Sequence, residues 1–323
     1  MATAEQIKAL IRSHTSEDAE RFYTLALQVA AHEATQGHGA LAHEIRDIVD
    51  KARSAKRKPA IESLPRELEN CIQMDLPGVP LAALVLPPLL LNRIKRVLYE
   101  YRQRHKLKQH GLQHRRKILL TGPPGTGKTL TAKVISSDLR LPLYTVQVDR
   151  LITKYMGETS AHLRHIFEMI KEQEGVYLFD EFDAIGGGRS RDNDVGEMRR
   201  VLTALLQFIE QDDSDSLIIA ATNSPALLDK ALFRRFDDIL AYDYPAPDDR
   251  KCLIANTLGT FVSANFGWEQ AVSSSEGLSS AEIVQASRDA LKEAILNDTK
   301  LVSAAMLETA FEERRHSMGG NLP

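Results

Sequence analysis

"TGPPGTGKTLTAKV", residues 121–134, has the composition of a loop that surrounds a phosphate group. Gly122, Gly125 and Gly127 allow the backbone to turn tightly, so that successive N–H groups point inward at the phosphate. An apolar run precedes the loop and a helical pattern follows it, which is the context that a nucleotide-binding loop requires. The stretch therefore predicts a nucleotide site formed by Gly122, Pro123, Pro124, Gly125, Thr126, Gly127, Lys128, Thr129 and Leu130.

Two side chains of this loop carry the chemistry of a triphosphate site. Lys128 would place a positive charge between the β- and γ-phosphates. Thr129 would offer its hydroxyl to Mg²⁺ at the start of a helix whose N-terminal dipole favours anions. We therefore expect a nucleoside triphosphate with Mg²⁺ as the ligand.

A second motif, "VYLFDEFDAI" at 176–185, ends an apolar run in acidic residues. A buried strand of this kind presents its last side chains at the carboxyl edge of the sheet, where open α/β sheets bind ligands. Asp180 would hold the metal, and Glu181 would orient and deprotonate the attacking water. Asp183 is either a third working group or a helix cap.

Short apolar or β-branched runs alternate with helical segments between about residues 80 and 245, which predicts an α/β fold. Strands buried on both faces of a parallel sheet are continuously apolar, and five such runs are present. The sequence thus predicts a P-loop module with a parallel five-stranded sheet flanked by helices. The five runs are "KILLT" at 117–121, "PLYTVQV" at 142–148, "GVYLFD" at 175–180, "SLIIAATN" at 216–223 and "DILAY" at 238–242.

Composition places the chain among ordinary globular proteins. It has 323 residues, 43% of them hydrophobic, and a net charge of −3, so its overall charge does not demand an anionic partner. Neither a secretory signal nor a run long enough to span a membrane is evident, which favours a cytoplasmic protein without a membrane partner. Cys71 and Cys252 lie far apart and match neither a metal site nor a disulfide framework.

A third motif, "IIAATNSPALLDKALFRRFD" at 218–237, is similar to the second homology region of AAA ATPases. The resemblance implies that Asn223 senses the γ-phosphate of ATP. It also implies that Arg234 and Arg235 are arginine fingers, which reach into the neighbouring subunit's nucleotide. In the commonest family pattern Pro-Gly separates the two arginines, whereas here they are adjacent. We expect Arg235 to be essential and Arg234 to support it.

"GLSSAEI" at 277–283 is similar to the segment that opens a helix of the small C-terminal lid in this family. No arginine follows at the helix start, so an arginine sensor from the lid is not expected. Earlier in the chain, apolar spacing and the Thr15–Asp18 capping signal predict three short N-terminal helices. The expected domains are an N-terminal helical bundle (1–58), a linker (59–80), a large AAA+ α/β subdomain (81–245) and a helical lid (246–323).

A trans-acting arginine implies a homo-oligomeric ring. The resemblance, to narrow-sense AAA proteins with a single ATPase module, implies one ring that is expected to be a hexamer. Lys154, Tyr155, Met156 and Gly157 match the family's loop that faces the central pore. Tyrosine and methionine would grip an extended chain through adaptable apolar contacts. Residues 186–197, which include three consecutive glycines, form either a second pore loop or a solvated loop.

The leading expectation is a hexameric ATPase that unfolds or remodels proteins through its pore, with the N-terminal bundle as a docking site for a substrate or partner. The alternative is a regulatory ATPase that controls a separately encoded protease or nuclease without threading it. Nucleic-acid translocation is a third possibility, because residues 93–117 contain ten Lys or Arg and one acid. A solvated or intersubunit basic face is favoured over a phosphate-binding stripe for this segment.

Overall fold

The structure is a computed structural model that describes residues 8–9, 13, 19–57, 68, 71–148, 150, 159–185, 192–227, 230–263, 265–299 and 301–319. The chain divides into two compact units, Met1–Glu62 and Ser63–Pro323. The second unit holds all three sequence motifs.

The first unit contains two described helices, α1 (Ala19–Thr35) and α2 (Gly39–Arg57), which pack against each other. Gly37 adopts a positive φ of 86° in the turn between them. His38 Nδ1 lies 2.7 Å from a carboxylate oxygen of Glu33, which ties the turn to the end of α1. The expected first helix and the Thr15–Asp18 cap lie mostly or wholly outside the described residues.

The second unit is built on a mixed six-stranded sheet in the order β1-β3-β4-β5-β2-β6. β2 to β6 are parallel, and each lies within two residues of a predicted strand. β1 pairs antiparallel with β3 at the edge of the sheet, so the prediction of five strands was one strand short. The strands are β1 (Ile72–Asp75), β2 (Lys117–Thr121), β3 (Leu143–Gln147), β4 (Val176–Asp180), β5 (Leu217–Thr222) and β6 (Asp238–Ala241).

Helices cover both faces of this sheet, and alternate residues of its inner strands pack into two separate cores. Tyr177 and Phe179 of β4 point to one core, whereas Val176 and Leu178 point to the other. Within the described part of the chain, none of the helices combines the length and apolar composition needed to span a bilayer. The helices are α3 (Pro88–Arg102), α4 (Arg104–Gln109), α5 (Lys128–Leu139), α6 (Thr159–Glu172), α7 (Asp192–Gln211) and α8 (Lys230–Phe233).

Four further helices follow the sheet and share a core of their own, which extends to Val85 before the first sheet-covering helix. Ser279 caps the third of them: its side chain accepts a bond from the Glu282 N–H, and the Glu282 carboxylate accepts one of 2.6 Å from the Ser279 N–H. This is the capping box that the sequence pattern predicts. The helices are α9 (Pro247–Leu258), α10 (Trp268–Ser274), α11 (Ser280–Leu296) and α12 (Ala304–Gly319).

A buried ion pair fastens the start of β2 to the end of α7. The Arg116 guanidinium binds both the carboxylate and the carbonyl oxygen of Asp212. The two side chains are only 5% and 0% exposed. Ser214 donates a further hydrogen bond of 3.1 Å to the same carboxylate. Removing one member would leave the other charge buried and uncompensated, which is costlier than losing a surface pair.

Replacing Asp212 with Ala is therefore expected to lower the free energy of unfolding by about 3–5 kcal/mol. The adjacent Asp213 is the matched control, because its side chain is 78% exposed and pairs with an exposed Lys171. Asp213→Ala should cost less than about 1 kcal/mol. Urea unfolding followed by far-ultraviolet circular dichroism measures both changes, and equal effects of the two substitutions would contradict the assignment.

Candidate nucleotide-binding site

The loop between β2 and α5 has a backbone that only glycine tolerates at its tightest points. Gly122 has a φ of 142°, and a Cβ there would lie 2.2 Å from the carbonyl oxygen of Tyr242 on the neighbouring chain segment. Gly125 has a φ of 75°, and its Cβ would lie 2.5 Å from Ser279 Oγ. The loop is thus pressed between the end of β6 and the start of α11, and side chains at these positions would push it out of shape.

Lys128 is the first residue of α5, and its side chain folds back into this loop. The residue is only 7% exposed. Its ammonium donates bonds of 2.8 and 2.7 Å to the carbonyl oxygens of Gly122 and Pro123. No carboxylate of the described residues forms an ion pair with it. Burial lowers the Lys128 pKa, and the nearby Asp180 and Asp183 oppose that shift. A bound anion would supply the missing countercharge, and the loop therefore fits a phosphate group.

The end of β4 brings two acids to the same place. The Thr129 hydroxyl donates a 2.9 Å hydrogen bond to an Asp180 carboxylate oxygen. Hydroxyl and carboxylate oxygens are the ligands that Mg²⁺ prefers, so this pair fits the predicted metal position. Glu181 follows with an exposed side chain and a left-handed φ of 51°, which is costly for a residue with a Cβ. Its N–H donates to the other Asp180 oxygen at 3.0 Å.

Asn223, one residue past the end of β5, lies beside these acids. Its backbone N–H donates a 3.2 Å hydrogen bond to Asp183. Asp183 lies in the short 3₁₀ helix Phe182–Ile185, so the third acid of the motif holds the Asn223 segment rather than only capping a turn. The sequence left this role open, because the bond joins residues forty positions apart.

These groups open into one cavity of about 650 Å³. At its phosphate end lie Pro124 to Leu130, together with Asp180, Glu181 and Asn223. Gly122 and Pro123, which were also predicted to bind, do not line the cavity; their carbonyls accept bonds from Lys128 instead. The rest of the wall is mainly apolar and comes from the segment before α3, from α9 and from α11: Val79, Ala83, Leu84, Val85, Leu86, Leu253, Ser280, Ala281, Val284 and Arg288.

Most of the apolar part of the cavity wall was not predicted from the sequence. It includes Val79, Ala83 and Leu84 of the segment before α3. Arg288 was missed because only the start of α11 was considered for an arginine. The sequence feature that could have identified Arg288 is the spacing of positions 280, 284 and 288, which places them on one face of the helix.

Arg234 and Arg235 lie in the turn after α8 and are exposed. Neither lines the cavity of its own chain. The Arg235 guanidinium pairs with Glu210 near the end of α7. Phe236 then packs edge-on against Phe182, with ring centroids 6.5 Å apart. The arginine turn is therefore attached, through Phe236, to the segment that follows the acidic end of β4, while its two charged side chains are exposed.

The predicted pore-loop residues, Lys154, Tyr155, Met156 and Gly157, lie outside the described part of the chain. Residues 192–197 of the expected glycine-rich loop belong to α7 rather than to a loop, and residues 186–191 lie outside the described part as well. Their positions relative to the cavity therefore stay predictions.

The basic stretch 93–117 is largely neutralised by distant acids. Six of its ten Lys or Arg side chains form ion pairs, five of them with acids outside the stretch. A phosphate-binding stripe would need these charges to be free. The ion pairs therefore argue against the nucleic-acid alternative for this segment. The pairs are Arg93–Asp238, Arg102–Asp138, Arg104–Glu174, Lys108–Asp215, Arg115–Glu100 and Arg116–Asp212.

Comparison with known proteins gives three consistent similarities. The uncharacterized AAA family ATPase y4kL of Sinorhizobium fredii is 32% identical over an alignment that covers 99% of this chain and 98% of that protein. A putative 26S proteasome regulatory subunit homolog of Methanothermobacter thermautotrophicus is 31% identical over 62% of this chain, which spans 56% of that protein's length. The crystal structure of the FIGL-1 AAA domain has the same fold, with a TM-score of 0.62 and 19% identity, covering 82% of this chain and 99% of that one.

The profile of the ATPase family associated with various cellular activities (AAA) matches residues 118–244, which include the phosphate loop, the acidic strand end and the adjacent arginines. The match with y4kL extends the similarity over nearly the whole chain. The chain therefore belongs to the AAA family of ATPases, the class of enzymes that hydrolyse ATP.

Proposed function

We propose that the cavity binds ATP with Mg²⁺ and that hydrolysis requires a second copy of the chain, within a homo-oligomeric ring that is most simply a hexamer. One observation carries this proposal. The cavity assembles a phosphate loop, an acidic pair and Asn223 from one chain, whereas both arginines of the family motif are exposed and do not line it. Arginines in this position can complete the site of a neighbouring subunit.

Lys128 and the loop N–H groups would bind the phosphates. The Lys128 ammonium is already desolvated and has only carbonyl oxygens as partners, so its attraction to a phosphate is not weakened by a competing carboxylate. The N-terminal end of α5 points its free N–H groups at the same position.

Thr129 and Asp180 would hold Mg²⁺, which neutralises negative charge on the phosphates when it is bound. Glu181 is free at the cavity wall to orient a water molecule and accept its proton, since its carboxylate has no ion-pair partner among the described residues. Asn223, held by Asp183, would orient the same water.

Arg234 and Arg235 would stabilise the charge that develops on the phosphoryl group of the adjoining subunit. Because Arg235 pairs with Glu210 within its own chain, it must leave that exposed pair to reach a neighbour. Exposed ion pairs contribute little stability, so breaking this pair would cost little free energy.

The work coupled to hydrolysis is proposed to be the remodelling of protein substrates. The similarity to a protein named as a proteasome regulatory subunit homolog supports this class of activity. Lys154, Tyr155, Met156 and Gly157 would contact the substrate in the pore. The first compact unit would dock a substrate or partner, and the intracellular setting would be the cytoplasm.

Replacing Glu181 with Gln is expected to lower kcat by about 10²- to 10⁴-fold and to leave ATP affinity within a few-fold, because it removes a proton acceptor without removing a phosphate contact. Steady-state hydrolysis and equilibrium binding of ATP measure the two effects. A loss of binding as large as the loss of rate would show that Glu181 has a different role.

The same trapped protein distinguishes remodelling from regulation. Purified with ATP, the Glu181→Gln protein should retain many different proteins, and adding Tyr155→Ala should release them. The exposed Tyr99, which is 65% accessible on α3, is the control position for the second substitution. Capture of a single stoichiometric protein that survives Tyr155→Ala would contradict remodelling and support a regulatory ATPase.

The protein with both Arg234→Ala and Arg235→Ala should bind ATP normally and hydrolyse it about 10³-fold more slowly or worse, the size of effect that arginine fingers have. Arg314→Ala with Arg315→Ala, a second adjacent arginine pair on α12, should keep the parental rate. Hydrolysis by the 234/235 variant at the parental rate would refute the proposed role of these arginines.

A further inference from the structure

We propose that Arg288 of α11 is a base-contacting residue of the nucleotide site, which holds the purine through its guanidinium and does not act on the phosphates. The inference rests on the proposed nucleotide site and names a contact within it. It assigns a nucleotide-contacting arginine to the lid, where the sequence led us to expect no arginine sensor.

The position of Arg288 follows from how α11 is fixed to the phosphate loop. The Ala281 N–H donates a 2.9 Å hydrogen bond to the carbonyl oxygen of Gly125, so the first turn of the helix lies against the loop. Arg288 is seven residues further on, which is about two turns or ~10 Å along the helix axis. The helix axis therefore runs away from the phosphate loop, and the Arg288 backbone lies about two turns beyond the contact with Gly125.

Apolar groups dominate the cavity away from the phosphate loop. Leu84, Leu253 and Val284 all line it, together with the other apolar residues that precede α3. Of the charged side chains that line the cavity, Lys128, Asp180 and Glu181 belong to the phosphate end, and Arg288 is the remaining one. A flat aromatic base fits between apolar walls of this kind.

The Arg288 guanidinium is available for such a ligand. Among the described residues it makes no hydrogen bond or ion pair. The neighbouring acid, Asp289, is occupied by Lys292 at 2.9 Å and by Gln285 at 3.1 Å. An exposed cation at an apolar wall can lie over the face of an aromatic ring and can donate to its ring nitrogens. Arg288 is thus suited to the base of the nucleotide, which supplies both a π face and nitrogen acceptors.

The test separates base from phosphate by using two probes, ATP and inorganic tripolyphosphate, each with Mg²⁺. Arg288→Met keeps the length of the side chain and removes its charge. We expect this variant to bind ATP about five- to tenfold more weakly, the size of one cation–aromatic contact, and to bind tripolyphosphate as the parent does. Isothermal titration calorimetry on the full chain measures both affinities.

Arg314→Met is the matched control, since Arg314 lies on α12 of the same helical lid and does not line the cavity. It should alter neither affinity. Arg288→Lys, which keeps the charge without the planar fork, should lose less ATP affinity than Arg288→Met, and it replaces that variant if the latter does not fold.

Two results would overturn the assignment. Equal weakening of ATP and tripolyphosphate by Arg288→Met would place its action on the phosphates, and unchanged ATP binding would remove it from the site. Failure of the parental protein to bind ATP at all would instead refute the proposed nucleotide site, so the two failures are distinguishable.

Discussion

The candidate site depends on one buried charge, the Lys128 ammonium, which is hydrogen-bonded only to backbone carbonyl oxygens. Lys128 can occupy that position because the loop folds back on it, and the loop can fold back because Gly122 passes within contact of the Tyr242 carbonyl. Burial lowers the Lys128 pKa, which means that the charged form is held at a cost. A phosphate group removes the cost by stabilising that charge. The fold of the loop thus already holds the Lys128 charge where an anion would bind.

The remaining groups reach this position from three parts of the fold. The carboxyl ends of β4 and β5 supply the acids and Asn223, and one hydrogen bond from the Asn223 N–H to Asp183 joins the segments that follow those two strands. The lid supplies an apolar wall because α11 starts against Gly125. The arginine turn is attached to the same acidic segment through Phe182 and Phe236, yet neither arginine lines the cavity. In the proposed mechanism, one chain forms the site and a second chain supplies the arginine charges.

The parallel strands were predictable because residues buried on both sides are apolar without interruption, and the phosphate loop was predictable because its glycines are required by the backbone. β1 was not predictable: in "IQMD" only Ile72 is fully buried, and the strand exists because it pairs with β3, about seventy residues away. The cavity wall was missed for a related reason, since Val85, Leu253 and Arg288 meet only when the lid packs beside the loop. The basic stretch left a nucleic-acid surface open as an alternative because most of its acidic partners are distant in sequence.

The central claim is that ATP is cleaved between two copies of the chain, and mixing two inactive proteins tests it most directly. Glu181→Gln protein has intact arginines and no proton acceptor, whereas the Arg234→Ala, Arg235→Ala protein has the reverse defect. If the site is shared, a mixture allowed to exchange subunits should hydrolyse ATP much faster than either protein alone, because some sites then combine an intact Glu181 with a neighbour's arginines. A mixture that forms mixed oligomers but is no more active than the sum of its components would contradict the account.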